Sequence, residues 1–337
     1  MENERIEATK PSVARYRGCL FGLAIGDALG ASIEFMTLSQ IKGRFGEQGV
    51  TGPAGPLQYT DDTQMSLATA VGCMRAWVRY THKGICHPPS LIYRSYLAWL
   101  ATQDDPRQQR APGKTCLTAL RSGTMGTMKK PINNSKGCGG VMRTAPIGLS
   151  FLPDVENGAF QIGAESAALT HGHPSGYLTG GFLAEMVAHL VRGSSLEDAI
   201  DRSVRLLVRY EGHEEALAKV EQARRLAGSE QEVERSITEL GAGWVGEEAL
   251  AIAIYCALKF PDDWRKGVLA AANHSGDSDS TASICGAILG THLGLRAIPG
   301  EWVRSVENAV DILAVADDMY LALQKGEKQT WELYVGY

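Results

Sequence analysis

The chain has 337 residues, of which 44% are hydrophobic and 21% charged, so it can bury a sizeable core as one large domain or two smaller ones and is not disordered. It carries 33 Lys and Arg against 38 Asp and Glu, a net charge of -5 without a dense basic block, which disfavours generic nucleic-acid binding. Its 7 cysteines are never spaced C-x-x-C, which disfavours a disulfide framework or a zinc cage and indicates a reducing, cytoplasmic setting.

The first residues are acidic and polar, whereas a secretory signal would be basic and then apolar. We interpret residues 1–14 as a polar tail in front of a single domain that covers residues 15–337. The apolar stretch that follows is interrupted by Asp27, and no window reaches the roughly 20 uninterrupted apolar residues of a membrane span. The sequence therefore predicts a soluble protein without a membrane partner.

Helical periodicity dominates the rest of the chain. Apolar residues recur at intervals of three and four in two long segments, namely Leu67, Ala70, Val71, Met74, Trp77 and Val78, and then Leu183, Met186, Val187, Leu190 and Val191. Ser194 and Glu197 have the spacing of a capping box, and a further helix is predicted over residues 247–259. Alternating strands joined by hairpin turns are hard to find, so the predicted fold class is all-α.

Glycines recur every four residues in two of these helical segments. The first stripe is Gly18, Gly22, Gly26 and Gly30, and the second is Gly286, Gly290 and Gly294, preceded at the same interval by Ala282. Glycine costs about 1 kcal/mol relative to alanine inside a helix, so such a stripe indicates that another helix or a ligand approaches the backbone closely. Close helix packing is the simpler interpretation, with the two stripes as candidate partners.

Two acidic clusters stand at predicted helix starts. Asp61 and Asp62 lie between Thr60 and Thr63, and Asp277 and Asp279 lie among serines far downstream. Taken singly, each cluster is a common helix cap, with Thr60 or Asp61 capping the first helix and Ser278 or Asp279 the second.

Together the clusters offer only hard oxygen ligands, which suit Mg²⁺, Mn²⁺ or Ca²⁺ and not structural zinc. Four carboxylates at one spot need cations to neutralise them. Two divalent ions about 3.5 to 4 Å apart would do so, and such a pair can orient substrate oxygens and activate a water. The sequence does not show whether the clusters meet.

Three segments are predicted as loops: residues 43–58, 104–115 and 133–148. The third contains Gly137, Gly139 and Gly140, which form either a flexible turn or a place where backbone N–H groups approach a diphosphate. It has no G-x-x-x-x-G-K-[ST] pattern and is therefore not a nucleotide P-loop. Cys138 in this loop is a poor candidate nucleophile, because no neighbour in the sequence would lower its pKa.

Six motifs appear in a characteristic order along the chain. They are GLAIGDALGASIE (22–34), YTDDTQMSLATA (59–70), KGCGGVMRTAPIG (136–148), THGHPSGY (170–177), GWVGEEALAIAIY (243–255) and HSGDSDSTASICGAILG (274–290). From about residue 16 to residue 313, the sequence thus resembles the ADP-ribosylglycohydrolase family, which includes dinitrogenase-reductase-activating glycohydrolases and ADP-ribosyl-acceptor hydrolases. The resemblance implies a single compact domain of orthogonal helices with two divalent cations, Mg²⁺ or Mn²⁺, at the bottom of a cleft.

The resemblance also implies roles for individual residues. The metal ligands would be Thr60, Asp61, Asp62, Asp277, Asp279 and Ser280. The family commonly has threonine directly after the second aspartate of the later motif, so Ser280 departs from the pattern and leaves Thr281 as a less favoured ligand. Glu34 matches an acidic residue beside the metals and is the candidate for proton transfer, with Asp279 as an alternative base. Without the motif, Glu34 would be a solvated loop residue.

Substrate contacts follow from the same resemblance. His171 is the candidate ligand contact and His173 a weaker one, although two lone histidines are by default capping or hydrogen-bonding residues. The loop of Gly137, Gly139 and Gly140 would border the phosphates. Trp244 and Val245 are expected to pack, with Glu247 and Glu248 at a helix start.

The implied activity is hydrolysis of the glycosidic bond between ADP-ribose and a modified acceptor, for which the arginine of an ADP-ribosylated protein is the leading choice. ADP-ribosylated serine, a nucleic-acid base and a small metabolite stay open as acceptors. The acceptor face is expected at residues 35–58 and 101–135.

Other classes of function also stay open. One is an immunity or binding protein that sequesters ADP-ribose or an ADP-ribosyltransferase toxin, with the tail as a plug. The others are a two-metal phosphohydrolase and a crystallin-like structural protein. Retention of every acidic ligand argues against a role without catalysis, and a phosphohydrolase of this kind usually has histidine-rich motifs that this chain lacks.

Overall fold

The computed structural model describes residues 11–326 and 331–334, and these residues form sixteen α-helices and no strand. The helices are α1 (Val13–Ala31), α2 (Leu38–Phe45), α3 (Asp61–Lys83), α4 (Pro88–Thr102), α5 (Lys114–Arg121), α6 (Ala145–Ser150), α7 (Ala159–Ala168), α8 (Pro174–Leu190), α9 (Leu196–Leu207), α10 (Glu214–Ala227), α11 (Val233–Leu240), α12 (Gly246–Lys259), α13 (Trp264–Ala272), α14 (Ser278–Leu293), α15 (Gly300–Ser305) and α16 (Ala309–Lys325). Short 3₁₀ turns occur at Cys138–Gly140, Leu295–Ala297 and Trp331–Tyr334. The predicted all-α fold class is confirmed.

Helices α1 and α14 cross closely and antiparallel, because the two glycine stripes face each other. A methyl group at Gly18 would lie 2.1 Å from the carbonyl oxygen of Gly290, and one at Gly22 would lie 2.1 Å from that of Gly286. At the other end of the contact, Gly30 lies against the backbone of Asp279. The predicted close packing of the two stripes is confirmed. It places the C-terminal end of α1 beside the N-terminal end of α14.

The helix predicted over residues 247–259 is confirmed as α12, but two predicted caps are wrong. The cap of α9 is Ser195, whose side chain accepts a hydrogen bond from the backbone N–H of Asp198, and not the predicted Ser194. The cap of α14 is Asp277, whose side chain accepts from the N–H of Ser280, and not the predicted Ser278 or Asp279. Such one-residue shifts arise because neighbouring polar residues have similar capping strength.

The predicted loops are partly helical at their edges. Helix α2 extends to Phe45 and α5 begins at Lys114, so both helices enter segments predicted as loops. In the third loop, Cys138–Gly140 forms a 3₁₀ turn. Helix α1 begins at Val13, so the last two residues of the predicted tail are helical. The part of that tail at residues 1–10 lies outside the described residues.

Helices α8, α12 and α14 form the centre of the domain and are buried on nearly every side. Their sequences are apolar all round, as expected of helices that contact neighbours in all directions. Among residues 11–326 and 331–334, no helix has the length and apolar character needed to cross a bilayer.

Candidate metal centre and active site

The C-terminal end of α1 holds the N-terminus of α3 through one buried carboxylate, that of Asp27. Both its oxygens accept from the backbone N–H of Thr60, at 2.9 and 3.0 Å. Oδ2 also accepts from the N–H of Thr63 at 2.9 Å and from its hydroxyl at 2.5 Å. Four hydrogen bonds satisfy a carboxylate that is 0% exposed. Asp27 therefore fixes where α3 begins and where Asp61 and Asp62 lie.

The same end of α1 meets the N-terminus of α14. The Asp277 carboxylate caps this helix, and Oδ1 of Asp279 accepts from the N–H of Ser280 at 3.0 Å. In α3 the hydroxyl oxygen of Thr60 caps by accepting from the N–H of Asp62 at 3.2 Å. Two helix N-termini thus carry acidic residues to one region, where the partial positive charge of each helix end favours negative groups.

Side chains from both helix starts line one cavity of about 350 Å³. Of the residues proposed from the sequence, its wall includes Glu34, Asp61, Asp62, Gly137, Gly139, His171, Asp277, Asp279 and Ser280. Thr60, His173 and Gly140 are not part of this wall. The two acidic clusters are therefore brought together, although more than two hundred positions separate them in the sequence.

Burial and the crowding of these carboxylates raise their pKa values. Burial, followed by the charge of Asp279, raises the pKa of Glu34 to about 9. Burial also raises the pKa of Asp61 to about 8 and that of Asp27 to about 7. The pKa of Asp62 is raised well above its ordinary value by burial and by its carboxylate neighbours. Without cations, the fold favours protons on these groups.

The donor set fits hard divalent cations. Oδ2 of Asp62 is buried without a hydrogen-bond partner among the described residues. Such an orphaned oxygen is costly unless it binds something. Ser280 lines the cavity, whereas the Thr281 hydroxyl contacts Nε2 of His274 at 2.8 Å and the Ala271 carbonyl at 2.7 Å. Carboxylate and hydroxyl oxygens suit Mg²⁺ or Mn²⁺, and the geometry favours Ser280 over Thr281 as a ligand.

A second group of acidic and histidine side chains lies elsewhere. Ligand atoms of Asp154, Glu185 and His189 lie within 4.8 Å of one another. Glu185, however, accepts from the backbone N–H groups of Asp154 and Phe160, at 2.6 and 3.0 Å, and Arg202 pairs with Asp154 at 3.0 Å. These bonds satisfy the group without an ion, so we interpret it as a support for the loop before α7.

The two histidines of the THGHP motif have different places. His171 is 2% exposed and lines the cavity, and burial lowers its pKa to about 3. It is therefore neutral, with Nδ1 against the Thr170 hydroxyl at 2.8 Å. His173 caps α8 instead, because its Nδ1 accepts from the N–H of Ser175 at 3.1 Å. Of the two histidines, His173 has the capping role that is expected by default of a lone histidine.

The glycine-rich loop makes room for His171. A methyl group at Gly139 would lie 3.1 Å from the His171 ring, and one at Gly137 would lie 3.4 Å from it. At Gly140 a methyl group would instead meet the Gly176 carbonyl at 2.4 Å, so this glycine serves the packing of the loop on α8. Gly137 and Gly139 thus border the cavity, and Gly140 lies behind it.

The thiol of Cys138 in this loop points at the acidic cluster. Its Sγ lies 2.7 Å from Oδ2 of Asp277 and donates to it. Burial, together with the charge of that carboxylate, raises the pKa of the thiol well above its ordinary value. The thiol therefore keeps its proton, which agrees with the weak case for a cysteine nucleophile.

Sequence reasoning missed the buried cation below this loop, Arg143, which is 0% exposed. Its guanidinium donates to the Thr170 hydroxyl at 2.6 Å and lies 4.4 Å from the ring centre of Tyr96. Its charge helps to keep His171 neutral. The available signal was an arginine within an apolar run. Sequence reasoning also missed the role of Asp27, for which the signal was an aspartate within the apolar sequence of α1.

Trp244 is also not where it was expected. It was predicted to pack, but it is 40% exposed, lines the cavity and stacks on Phe35. Indole rings in a helix-flanking motif usually pack, and only the folded structure shows this one at a cavity wall.

The sequence profile of the ADP-ribosylglycohydrolase family matches residues 8–329. The chain belongs to the ADP-ribosylglycohydrolase family. It is 27% identical over 360 residues to ADP-ribosylhydrolase ARH3 of Homo sapiens, covering 93% of this chain and 95% of that protein. It is also 27% identical over 314 residues to the ADP-ribosyl-[dinitrogen reductase] glycohydrolase of Rhodospirillum rubrum, covering 90% and 94%.

A solved structure shares the fold of this ADP-ribosylglycohydrolase family member. It is titled as an ADP-ribosylglycohydrolase-related protein complex and superposes with a TM-score of 0.61 at 24% identity, covering 91% of this chain and 97% of that one. The likeness supports the all-α domain and no more. Both named relatives are hydrolases of ADP-ribosyl groups, and this places the chain in an enzyme family.

Proposed function

We propose that the chain hydrolyses the glycosidic bond between ADP-ribose and a modified acceptor and uses two divalent cations, Mg²⁺ or Mn²⁺. The observation that carries the proposal is the meeting of two acidic helix N-termini with Glu34 in one cavity. Its support is the family membership together with the orphaned oxygen of Asp62. The leading acceptor is an arginine side chain of a protein, as the name of the Rhodospirillum relative also suggests for a protein substrate.

The proposed metal ligands are Thr60, Asp61, Asp62, Asp277, Asp279 and Ser280. Bound to such oxygens, divalent ions neutralise the carboxylates, orient hydroxyl groups and provide a water of lowered pKa. The chain itself supplies the positions of these oxygens. Asp27 and the stripe contact at Gly30 hold them, so the ligands need little reorganisation on binding.

The proposed proton carrier is Glu34. Breaking a ribosyl bond develops positive charge on the sugar ring, which a carboxylate-lined cavity stabilises. Glu34, at the cavity wall beside the proposed metal ligands, is proposed to move a proton to or from the attacking water or the departing acceptor. Asp279 is the alternative base. His171, neutral and at the wall, is proposed to donate to the ADP-ribose, next to the backbone of Gly137 and Gly139.

The test is release of free ADP-ribose, followed by mass, from ADP-ribosylated arginine, serine and nucleic-acid substrates with Mg²⁺ or Mn²⁺ present. We expect Glu34→Gln to lose turnover while calorimetry shows unchanged metal binding. The matched control is Glu47→Gln, since Glu47 is an exposed glutamate outside the cavity wall. Full turnover in Glu34→Gln would remove this residue from the chemistry.

A second pair of variants separates metal binding from proton transfer. Asp61→Ala and Asp277→Ala are each expected to abolish metal binding and activity together, because each removes a proposed ligand. A wild-type protein that binds ADP-ribose by calorimetry but releases it from none of the substrates would contradict the enzyme proposal and favour the binding-protein alternative.

A further inference from the structure

A buried series of hydrogen bonds leads from Arg143 through Thr170 to the ring of His171. The Arg143 guanidinium donates through Nη2 to the Thr170 hydroxyl oxygen at 2.6 Å, and this oxygen lies 2.8 Å from Nδ1 of His171. Arg143 and Thr170 are 0% exposed and His171 is 2% exposed. Because solvent hardly reaches these groups, the protein's own donors and acceptors decide where their protons lie.

Arg143 is held firmly at the beginning of this series. Its guanidinium packs on the Tyr96 ring at 4.4 Å, and it also donates to the Cys116 sulfur at 3.3 Å and to the Ser166 carbonyl oxygen at 3.4 Å. Among the described residues, none of its hydrogen-bond partners is a carboxylate. A buried cation without an ion pair is costly, which points to a function for its charge or its donors.

These contacts decide which ring nitrogen of His171 carries the proton. A guanidinium can only donate, so the Thr170 oxygen is an acceptor toward Arg143 and has one proton of its own to give. Nδ1 of His171 is the strong acceptor within reach of that proton, because the Cys116 thiol is a weak acceptor and already receives a bond from Arg143. A lone pair on Nδ1 is also attracted by the nearby cation. Neutral His171 therefore carries its proton on Nε2.

The Nε2 edge of the ring faces the glycine-rich loop at the cavity. A methyl group at Gly139 would lie 3.3 Å from Nε2, and one at Gly137 would lie 3.4 Å from it. Both glycines line the cavity together with His171, and among the described residues the hydrogen bond of this ring is made by Nδ1 and not by Nε2. The two glycines thus leave the Nε2–H open toward a ligand, whereas the opposite tautomer would present a lone pair there.

An N–H at this place suits a ligand rich in anionic oxygens, and the diphosphate makes ADP-ribose such a ligand. We propose that Thr170, held as an acceptor by Arg143, is a positioning residue that keeps His171 in the tautomer whose Nε2–H donates to an oxygen of ADP-ribose. Neither Thr170 nor Arg143 is part of the cavity wall, so both act through His171 and not by touching the substrate. The inference rests on the proposed function and names the residues that make its histidine a donor.

Nitrogen-15 NMR of the histidine rings reads the tautomer directly, and His171→Gln assigns the His171 signals. In the wild-type protein, without metal or ligand, we expect the proton on Nε2 and a hydrogen bond at Nδ1. Thr170→Val keeps the shape of the side chain but removes the hydroxyl, so the Nδ1 signal should lose the shift caused by its hydrogen bond and the proton should no longer be confined to Nε2. Thr170→Ser keeps the hydroxyl and should keep both wild-type signals.

Calorimetry with ADP-ribose, in the presence of Mg²⁺, connects the tautomer to binding. Thr170→Val should bind ADP-ribose about tenfold more weakly, as for the loss of one hydrogen bond to a charged group, whereas Thr170→Ser should stay within about threefold of the wild type. The matched control is Thr291→Val, because Thr291 is also buried but donates to the Ala287 carbonyl in α14, away from the cavity wall. This control should change neither the His171 signals nor the affinity.

The outcomes separate this inference from the proposed function. A wild-type His171 with its proton on Nδ1, or a Thr170→Val variant with wild-type affinity for ADP-ribose, would overturn the inference while the proposed function stands. Equal losses of affinity in Thr170→Val and Thr170→Ser would also overturn it, since serine can make the same bond. A wild-type protein that binds ADP-ribose with these differences but releases it from no substrate would defeat the proposed hydrolysis alone, and one that does not bind ADP-ribose would defeat both.

Discussion

The α1–α14 contact gives a quantitative prediction for the variant Gly22→Ala. The new methyl group would lie 2.1 Å from the carbonyl oxygen of Gly286 and 3.1 Å from Nε1 of Trp264. Ordinary contact begins at 3.4 Å, so the two backbones would have to separate by about 1.3 Å, the difference between 3.4 and 2.1 Å. The closest atom is a backbone carbonyl oxygen, so no flexible side chain can move aside to relieve this contact.

The expected loss follows from two opposing effects. Overpacking a well-packed contact costs about 1 to 3 kcal/mol, and a backbone clash belongs at the upper end. Alanine recovers up to about 1 kcal/mol of helix propensity relative to glycine. We therefore expect the free energy of unfolding to fall by about 2 kcal/mol.

Urea unfolding followed by circular dichroism measures this loss. The matched control is Gly43→Ala, because Gly43 is also inside a helix but a methyl group there meets nothing within 4 Å. The control should keep the propensity gain of up to about 1 kcal/mol, so the two variants should differ by about 3 kcal/mol. A Gly22→Ala variant as stable as the control would refute the idea that the stripes fix the helix separation.

Three further predictions concern the site. Without divalent ions, Tm should fall as the pH rises from ~6.5 to ~8.5. In the folded protein Asp27, Asp61 and Glu34 have pKa values of about 7, 8 and 9 and keep protons in this range. The unfolded chain has already released these protons, so raising the pH favours unfolding. Mn²⁺ should raise Tm more at the higher pH, and a Tm independent of pH in this window would contradict the crowding. Asp27→Ala should weaken Mn²⁺ binding in calorimetry at least about tenfold, because the N–H groups at the start of α3 would lose the carboxylate that holds them in place. Unchanged affinity would show that Asp27 does not position the ligands on α3. His173→Ala should lower the free energy of unfolding in urea by about 1 kcal/mol, because α8 loses its cap, and should leave the affinity for ADP-ribose unchanged. Weaker binding of ADP-ribose would instead show that His173 contacts the ligand.

The helices and the family motifs could be predicted from the sequence because their signals are local. The apolar spacing around Leu67 gives α3, and the four-residue glycine spacing marks the faces of α1 and α14. Hydroxyl and acidic residues at two helix starts indicated hard-cation ligands from chemistry alone. Capping signals were less decisive, because Ser194 and Ser195 compete within one residue.

Tertiary structure alone decided which distant groups share the cavity. Asp27 reads in the sequence as an interruption of an apolar helix, and only packing shows it bonded to the start of α3. His171 and His173 are indistinguishable in their motif, yet one lines the cavity and the other caps α8. The stacking of Phe35 on Trp244 joins segments about two hundred residues apart. Such contacts depend on how whole helices pack, and local propensity carries no information about that approach.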